Sequence, residues 1–330
     1  MPNVAPTLEV PAPTCRSVPA AAPALVPSAH PVIAQASRLR AFVAATASLV
    51  MIVVASSSPV PVYNVYRAQN GITNADLSLS VVAYFAGTIL ALVSLGRLTN
   101  HLGRKPVSLA TLVIMAVGCL VLIHVDGLAP LVLGRLIMGV GAGLASSSLT
   151  SYVVDAAPAR PAWLASVASS QSSQVGLTLG SLVSGVIVQT VAGARTVSYV
   201  VMIALLAVCA LALLTLPETG TRSPGALASQ RPRVGVPASV RPRLLAAGTA
   251  FVVTWAVGGF YQFFIPAITA DQLGSTNAVV VALVLSAYML PVAFGAPLAG
   301  VFEASRAQRI GITVWLAACG PCSRASSPGS

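Results

Sequence analysis

Long apolar runs separated by short polar stretches dominate the chain, and none shows the strict alternation of a half-buried strand. Eight runs predict membrane-spanning helices, near residues 39–60, 77–98, 107–124, 129–153, 163–190, 196–216, 244–266 and 277–299. A spanning helix needs about 20 mostly apolar residues, whereas a membrane strand shows about 10 of alternating polarity. Run length therefore selects helices. A ninth run starts near Ile310 and reaches Cys319 before "GPCSRASSPGS"; at about 1.5 Å per residue it crosses only half of a bilayer core. Residues 1–38, rich in Pro and Ala and without helical or strand period, predict a disordered tail. Arg38 and Arg40 directly precede a run long enough to stay in the membrane, which argues against a cleaved leader.

Composition sharpens this picture. With 56% hydrophobic and 8% charged residues and a mean hydropathy of +0.87, the chain has too little polar surface to cover a water-soluble globule. The expected fold class is an all-α integral membrane protein. Its net charge of +11 is placed unevenly. With the N-terminus in the cytoplasm, the inner segments carry fourteen basic residues and the outer loops two, Arg67 and Arg195, as the retention of Lys and Arg on the cytoplasmic side requires. Cations spread along membrane-flanking loops favour anionic lipid by about 1 kcal/mol each, so nucleic acid is not needed to explain them. The partner is a lipid bilayer, and the expected location is the plasma membrane.

After six spans comes "PETGTRSPGALASQRPRVGVPASVRPR", Pro217 to Arg243, with five arginines against one acid, Glu218. The expected domains are the tail 1–38, a six-helix bundle 39–216, a cytoplasmic linker 217–243, a partial second bundle 244–320 and an irregular tail 321–330. Cys319 and Cys322 form a lone C-x-x-C with no second ligand pair, and Cys119 and Cys209 read as apolar filler. No metal or other cofactor is expected.

The stretch "GRLTNHLGRKPV", Gly96 to Val107, concentrates charge between spans two and three. Gly96 would let a helix end approach its neighbour, Gly103 would permit a tight turn, and Arg104 and Lys105 would hold the loop among headgroups. Span four reads "GRLIMGVGAG", with Arg135, Gly139 and Gly141, and span six closes in "LPET". Together these resemble the major facilitator superfamily, whose loop pattern is met by Gly96, Leu98, Thr99, Gly103, Arg104 and Lys105. Asn100 stands where the family most often has aspartate, and His101 where a basic residue is usual.

The resemblance implies a helical bundle of that family's type, its N-terminal six-helix half complete and its C-terminal half reduced to about 2.5 spans. It implies that the loop braces the outward-facing state through a charge cluster; with Asn100 neutral, an Arg104 to Asp155 interaction would carry more of that latch. Topology anchoring is the plainer role. Arg135 has two readings: it transmits protonation or meets an anionic group, or it snorkels to the surface. Small residues at Ser172, Gly176, Gly180 and Ser184, with Gly185 adjacent, predict a ridge for close helix packing. The ridge also resembles a motif of the drug/proton antiporter branch, with Ser181 in place of its proline and Ser184 of one glycine. "GVFEASRAQR", Gly300 to Arg309, stands where a duplicated architecture would repeat the loop.

The residues expected to line a central cavity are Tyr84, Gln171, Gln174, Trp255, Gln262 and Tyr288, with Tyr261 shared between that lining and an interfacial belt that includes Tyr63. Rings and amides suit small amphipathic molecules. No phosphate-binding loop appears, and the three histidines, His30, His101 and His124, assemble no catalytic set with a nucleophile, so an enzyme is not expected. The expected function is proton-coupled efflux of small organic molecules, with uptake by symport as one alternative and a non-transporting product of an interrupted gene as the other.

Overall fold

The computed structural model describes residues 35–158, 160–161, 163–220, 241–275, 277–299, 306 and 309–314. The first 34 residues, most of the linker, the "GVFEASRAQR" repeat apart from Arg306 and Arg309, and the C-terminal tail lie outside them, as do the side chains of Asn100 and Gln262.

The first predicted span is longer than expected and broken. Helix α1, Gln35–Ser57, passes directly into α2, Pro59–Asn70. Pro59 and Pro61 have no N–H to give the carbonyls of Ala55 and Ser57, so the regular ladder cannot pass through. The expected end at residue 60 is corrected to Asn70. The polar stretch "YNVYRAQN" looked like a loop, but Tyr63 and Tyr66 turn inward and are buried. Tyr63 therefore does not belong to an interfacial belt. Gly71, at φ 64°, ends α2.

Helix α3, Asn74–Leu95, starts in a capping box: the Thr73 side chain accepts from the Asp76 amide, and Asp76 accepts from the Thr73 amide. A short helical turn, α4, Leu98–Leu102, precedes α5, Arg104–Ile123. Then follow α6, Leu128–Ala156, α7, Trp163–Thr190, and α8, Ala194–Leu214. Beyond the linker lie α9, Arg241–Leu273, with Pro266 inside it, and α10, Ala278–Ala299. Residues 309–314 are helical as well. The remaining predicted spans agree with these helices apart from shifts at their ends, the largest being α9, which runs seven residues past the expected 266.

Helix α6 is the packing centre and lies against α3, α5 and α1. Its glycines make this possible. A Cβ on Gly139 would collide with the Tyr84 carbonyl of α3, and one on Gly143 would come within 2.6 Å of the Thr88 carbonyl. Backbones this close gain dispersion contacts that lipid tails would otherwise supply, which is how helices associate where no hydrophobic drive exists between them. The ridge on α7 works in two directions: Gly176 and Gly180 pack against Val53 and Val54 of α1, while Gly185 packs on Ala278 and Ala282 of α10.

One large core unites α1, α2, α5, α6 and α8, and a smaller cluster of Ile265, Val281 and Leu285 is flanked by Leu177 of α7. The outward faces of α3, α5 and α8 expose Val82, Ile89, Leu90, Val113, Leu120, Val208 and Leu211. An apolar exterior around a packed interior fits lipid as the solvent. Among the described residues, five stretches are long and apolar enough to cross a membrane, Ser37–Asn70, Asn74–Leu95, Arg104–Ile123, Leu128–Ala156 and Ala194–Leu214. Helix α7 falls short of that measure because its serines and glutamines lower its hydropathy. The chain is a multi-pass membrane protein.

Two glycines of α6 separate packing from propensity. Gly139→Ala is expected to lower the thermal midpoint in detergent, since its Cβ meets backbone that cannot yield and overpacking costs about 1–3 kcal/mol. Gly141→Ala meets only ordinary contacts at 3.4 Å and is expected to hold or raise the midpoint.

Candidate functional site

The site forms around the break in the first span. "SSSPVP", residues 56–61, places three hydroxyls beside two prolines, and all three serines are buried. Ser58 Oγ donates to the Ala55 carbonyl at 2.8 Å, supplying the donor that Pro59 lacks. Ser184 of α7 donates to the Ser58 carbonyl at 2.7 Å. The third donor is a guanidinium: Arg135 Nη1 donates to the Ser56 carbonyl at 2.9 Å.

Arg135 is only 3% exposed, so it does not snorkel to the surface. Its guanidinium carbon sits 4.7 Å from the centre of the Tyr84 ring. Placing the charge inside a bilayer costs about 2.5–3.5 kcal/mol on insertion scales. A charge-assisted hydrogen bond gives back about 1.5–3 kcal/mol and a desolvated cation–π contact about 2. The two sides are of similar size, so the charge is tolerable where it lies. Gly139, one turn further along α6, keeps the helix close enough for Tyr84 to reach the guanidinium. Arg135 Nε has no partner among the described residues.

A second cluster lies at the end of the bundle where α1, α5 and α7 begin and α6 and α8 finish, here called the basic end. Arg104 Nε donates to Asp155 Oδ2 at 2.9 Å, both side chains being partly exposed. Arg38 donates to the Asp155 carbonyl at 3.4 Å. Gly103 sits at φ 102°, ψ 164°, a conformation open in practice to glycine alone. A Cβ there would also fall 2.6 Å from the Glu218 carboxylate.

Glu218, noted in the sequence as the one acid of the linker and part of "LPET" but given no role, is the centre of this cluster. Its carboxylate accepts from the amides of Arg104 at 2.8 Å, Lys105 at 3.1 Å and Gly220 at 2.9 Å. It thus caps α5, where the helix dipole favours negative charge. Lys105 Nζ reciprocates by donating to the Leu214 and Leu216 carbonyls at the end of α8, both at 2.7 Å. Tyr152 donates to the Pro217 carbonyl at 2.8 Å. All these contacts lie among the first six spans and the first residues of the linker. At Gly96, φ −56°, the atoms nearest an added Cβ belong to Leu92 in its own preceding turn.

The expected cavity residues fall into separate groups. Tyr84 faces Arg135. The side-chain oxygens of Gln171 and Gln174 on α7 are buried without partners among the described residues. Tyr288 of α10 stacks on Tyr261 of α9 with centroids 4.7 Å apart, and Trp255 is 43% exposed. Tyr66, which sequence reasoning missed, donates to the Leu122 carbonyl at 2.8 Å, and its hydroxyl lies 2.9 Å from that of Tyr199. Prolines inside an apolar run were the available signal for the broken span; nothing local pointed to Glu218 or Tyr66.

Carboxylate capping and the ion pair differ in expected weight. An N-cap contributes about 1 kcal/mol, with up to about another from the helix dipole, while a partly exposed ion pair contributes about 0–1. Glu218→Ala is therefore expected to lower the melting midpoint in detergent more than Asp155→Asn does, the reverse order placing the loop's stability in the ion pair.

Comparison with known proteins places this geometry. The family model of the Major Facilitator Superfamily matches residues 42–325. Multidrug resistance protein MdtL of Klebsiella pneumoniae (strain 342) is 34% identical over 73 residues, a match covering 22% of this chain and 19% of that protein. A crystal structure of a D-xylose-proton symporter overlays with a TM-score of 0.51 at 17% identity, covering 80% of this chain and 68% of its own. At that identity the likeness shows a shared fold.

Proposed function

The chain belongs to the Major Facilitator Superfamily, and from that membership we propose that it is a secondary transporter that expels small organic molecules in exchange for protons. The observation that carries this reading is the buried Arg135, which meets a broken first span and the Tyr84 ring inside a lipid-facing shell. Intramembrane charge is costly to keep, and where it persists it marks a substrate or ion pathway. The unpartnered amide oxygens of Gln171 and Gln174 add hydrogen-bonding capacity suited to weakly polar, amphipathic molecules. The partial relative whose name records multidrug resistance favours export over uptake.

Alternating access rocks two bundles about a site near the midplane. In this reading residues 39–216 are one bundle, 217–243 the link and 244–320 part of the other. The loop of Arg104, Lys105, Asn100 and Gly103 acts with Asp155 and Glu218 to keep the basic end of the first bundle rigid during that motion. The plasma membrane is the assigned location, with the N-terminus cytoplasmic, because fourteen flanking cations against two put the basic end inside.

Everted membrane vesicles test the assignment. Amphipathic dyes are expected to accumulate in them when their interior is acidic, to leak out when a protonophore is added, and to accumulate at least about tenfold more slowly with Arg135→Gln, a loss of the size expected for a charged contact. Accumulation in right-side-out vesicles driven by external acid would instead establish symport.

A further inference from the structure

A small cleft lies at the end of the bundle opposite the basic one, where the two groups of helices meet. Tyr63, Asn64 and Arg67 of α2, Asn74 and Leu77 of α3, and Phe264 and Pro266 of α9 line it. Its polar groups are uncommitted. The side chains of Arg67, Asn64 and Asn74 make no hydrogen bond or ion pair among the described residues. The Tyr63 hydroxyl, on a ring only 2% exposed, has no partner there either.

Asp126 and Asp271 at this end make no ion pair among the described residues, and two further charges are committed. Arg195, the second basic residue of this end, donates to the Val125 carbonyl at 2.9 Å and lies 3.4 Å from the Asn70 side-chain oxygen. Asp76, the nearest acid along the chain, accepts from the Thr73 amide at 2.9 Å and the Thr73 hydroxyl at 2.8 Å. Arg67 is left as a guanidinium without a counter-ion, on the side of the membrane where cations are otherwise scarce. Retaining a cation there needs a reason other than topology, since the side-selection of basic residues works against it.

A planar guanidinium recognises the two oxygens of a carboxylate or phosphate, and amide N–H groups extend that set. Leu77, Phe264 and Pro266 supply an apolar wall beside it. We propose that this cleft binds the anionic head of a small amphiphile, with Arg67 as the charge partner and Asn64 and Asn74 as donors. Because Phe264 and Pro266 belong to the second group of helices, an occupant touches both groups at once and favours their contact at this end. That the amphiphile is cargo at the outer mouth rests on the transport reading; that the cleft binds it does not.

Calorimetric titration of the full chain in uncharged detergent with octanoate and octanamide tests this. The wild type is expected to prefer octanoate at least about tenfold, the size of one charge-assisted contact. Arg67→Gln removes the preference and leaves octanamide binding alone, while Phe264→Ala weakens both ligands. Equal binding of the two probes by the wild type, or a preference that survives in Arg67→Gln, would overturn the proposal. Nanodiscs of phosphatidylcholine with and without phosphatidylglycerol separate the sources of the anion: competition by phosphatidylglycerol in the wild type assigns the cleft to a lipid head, and its absence to a free amphiphile. Lost transport with the octanoate preference intact counts against the transport reading alone.

Discussion

Lipid offers no hydrogen bonds, so each backbone group freed inside the membrane must find its partner within the protein. In this chain that constraint is concentrated at one place, the break between α1 and α2. Prolines 59 and 61 withdraw two donors from the middle of the first span, and the donors that gather around the opening come from Ser58, from Ser184 of α7 and from Arg135 of α6. Ser58 replaces the donor that Pro59 withholds from Ala55, while Arg135 and Ser184 add bonds to the flanking Ser56 and Ser58 carbonyls, so the buried charge braces the broken span. Close packing follows from it: α6 must approach α1 and α3 to deliver its guanidinium, and glycines at 139 and 143 admit the approach.

The basic end solves a different problem with weaker parts. There water is available, so an ion pair such as Arg104 with Asp155 contributes little by itself. Position matters more than strength. Glu218 caps α5 while Lys105 closes α8, so the ends of two helices hold each other and fix the first residues of the linker.

Much of this was legible in the sequence, for identifiable reasons. Apolar run length located the spans because bilayer thickness sets it, and the family resemblance of the loop at Gly103 and Arg104 implied Asp155 as its acid. Other features depend on quantities that a linear pattern does not carry. The inward turn of Tyr63 and Tyr66 hid the second part of the first span, since polar residues facing protein resemble polar residues facing water. Glu218 lies more than a hundred positions from the amides it caps. The expected cavity residues separated because periodicity fixes which residues share a helix face but not the rotation that aims the face, so Tyr84 turned to Arg135 while Tyr288 turned to Tyr261.

Amide hydrogen exchange across residues 52–66, compared between the full chain and its Arg135→Met variant in detergent, tests the central claim most directly. If the guanidinium braces the first span beside the break, the variant exchanges at least about tenfold faster in this segment while α8 is unchanged, a factor equal to the loss of about 1.4 kcal/mol of local protection. Equal exchange in the two proteins would contradict the account and leave Arg135 a buried charge with no part in holding the first span.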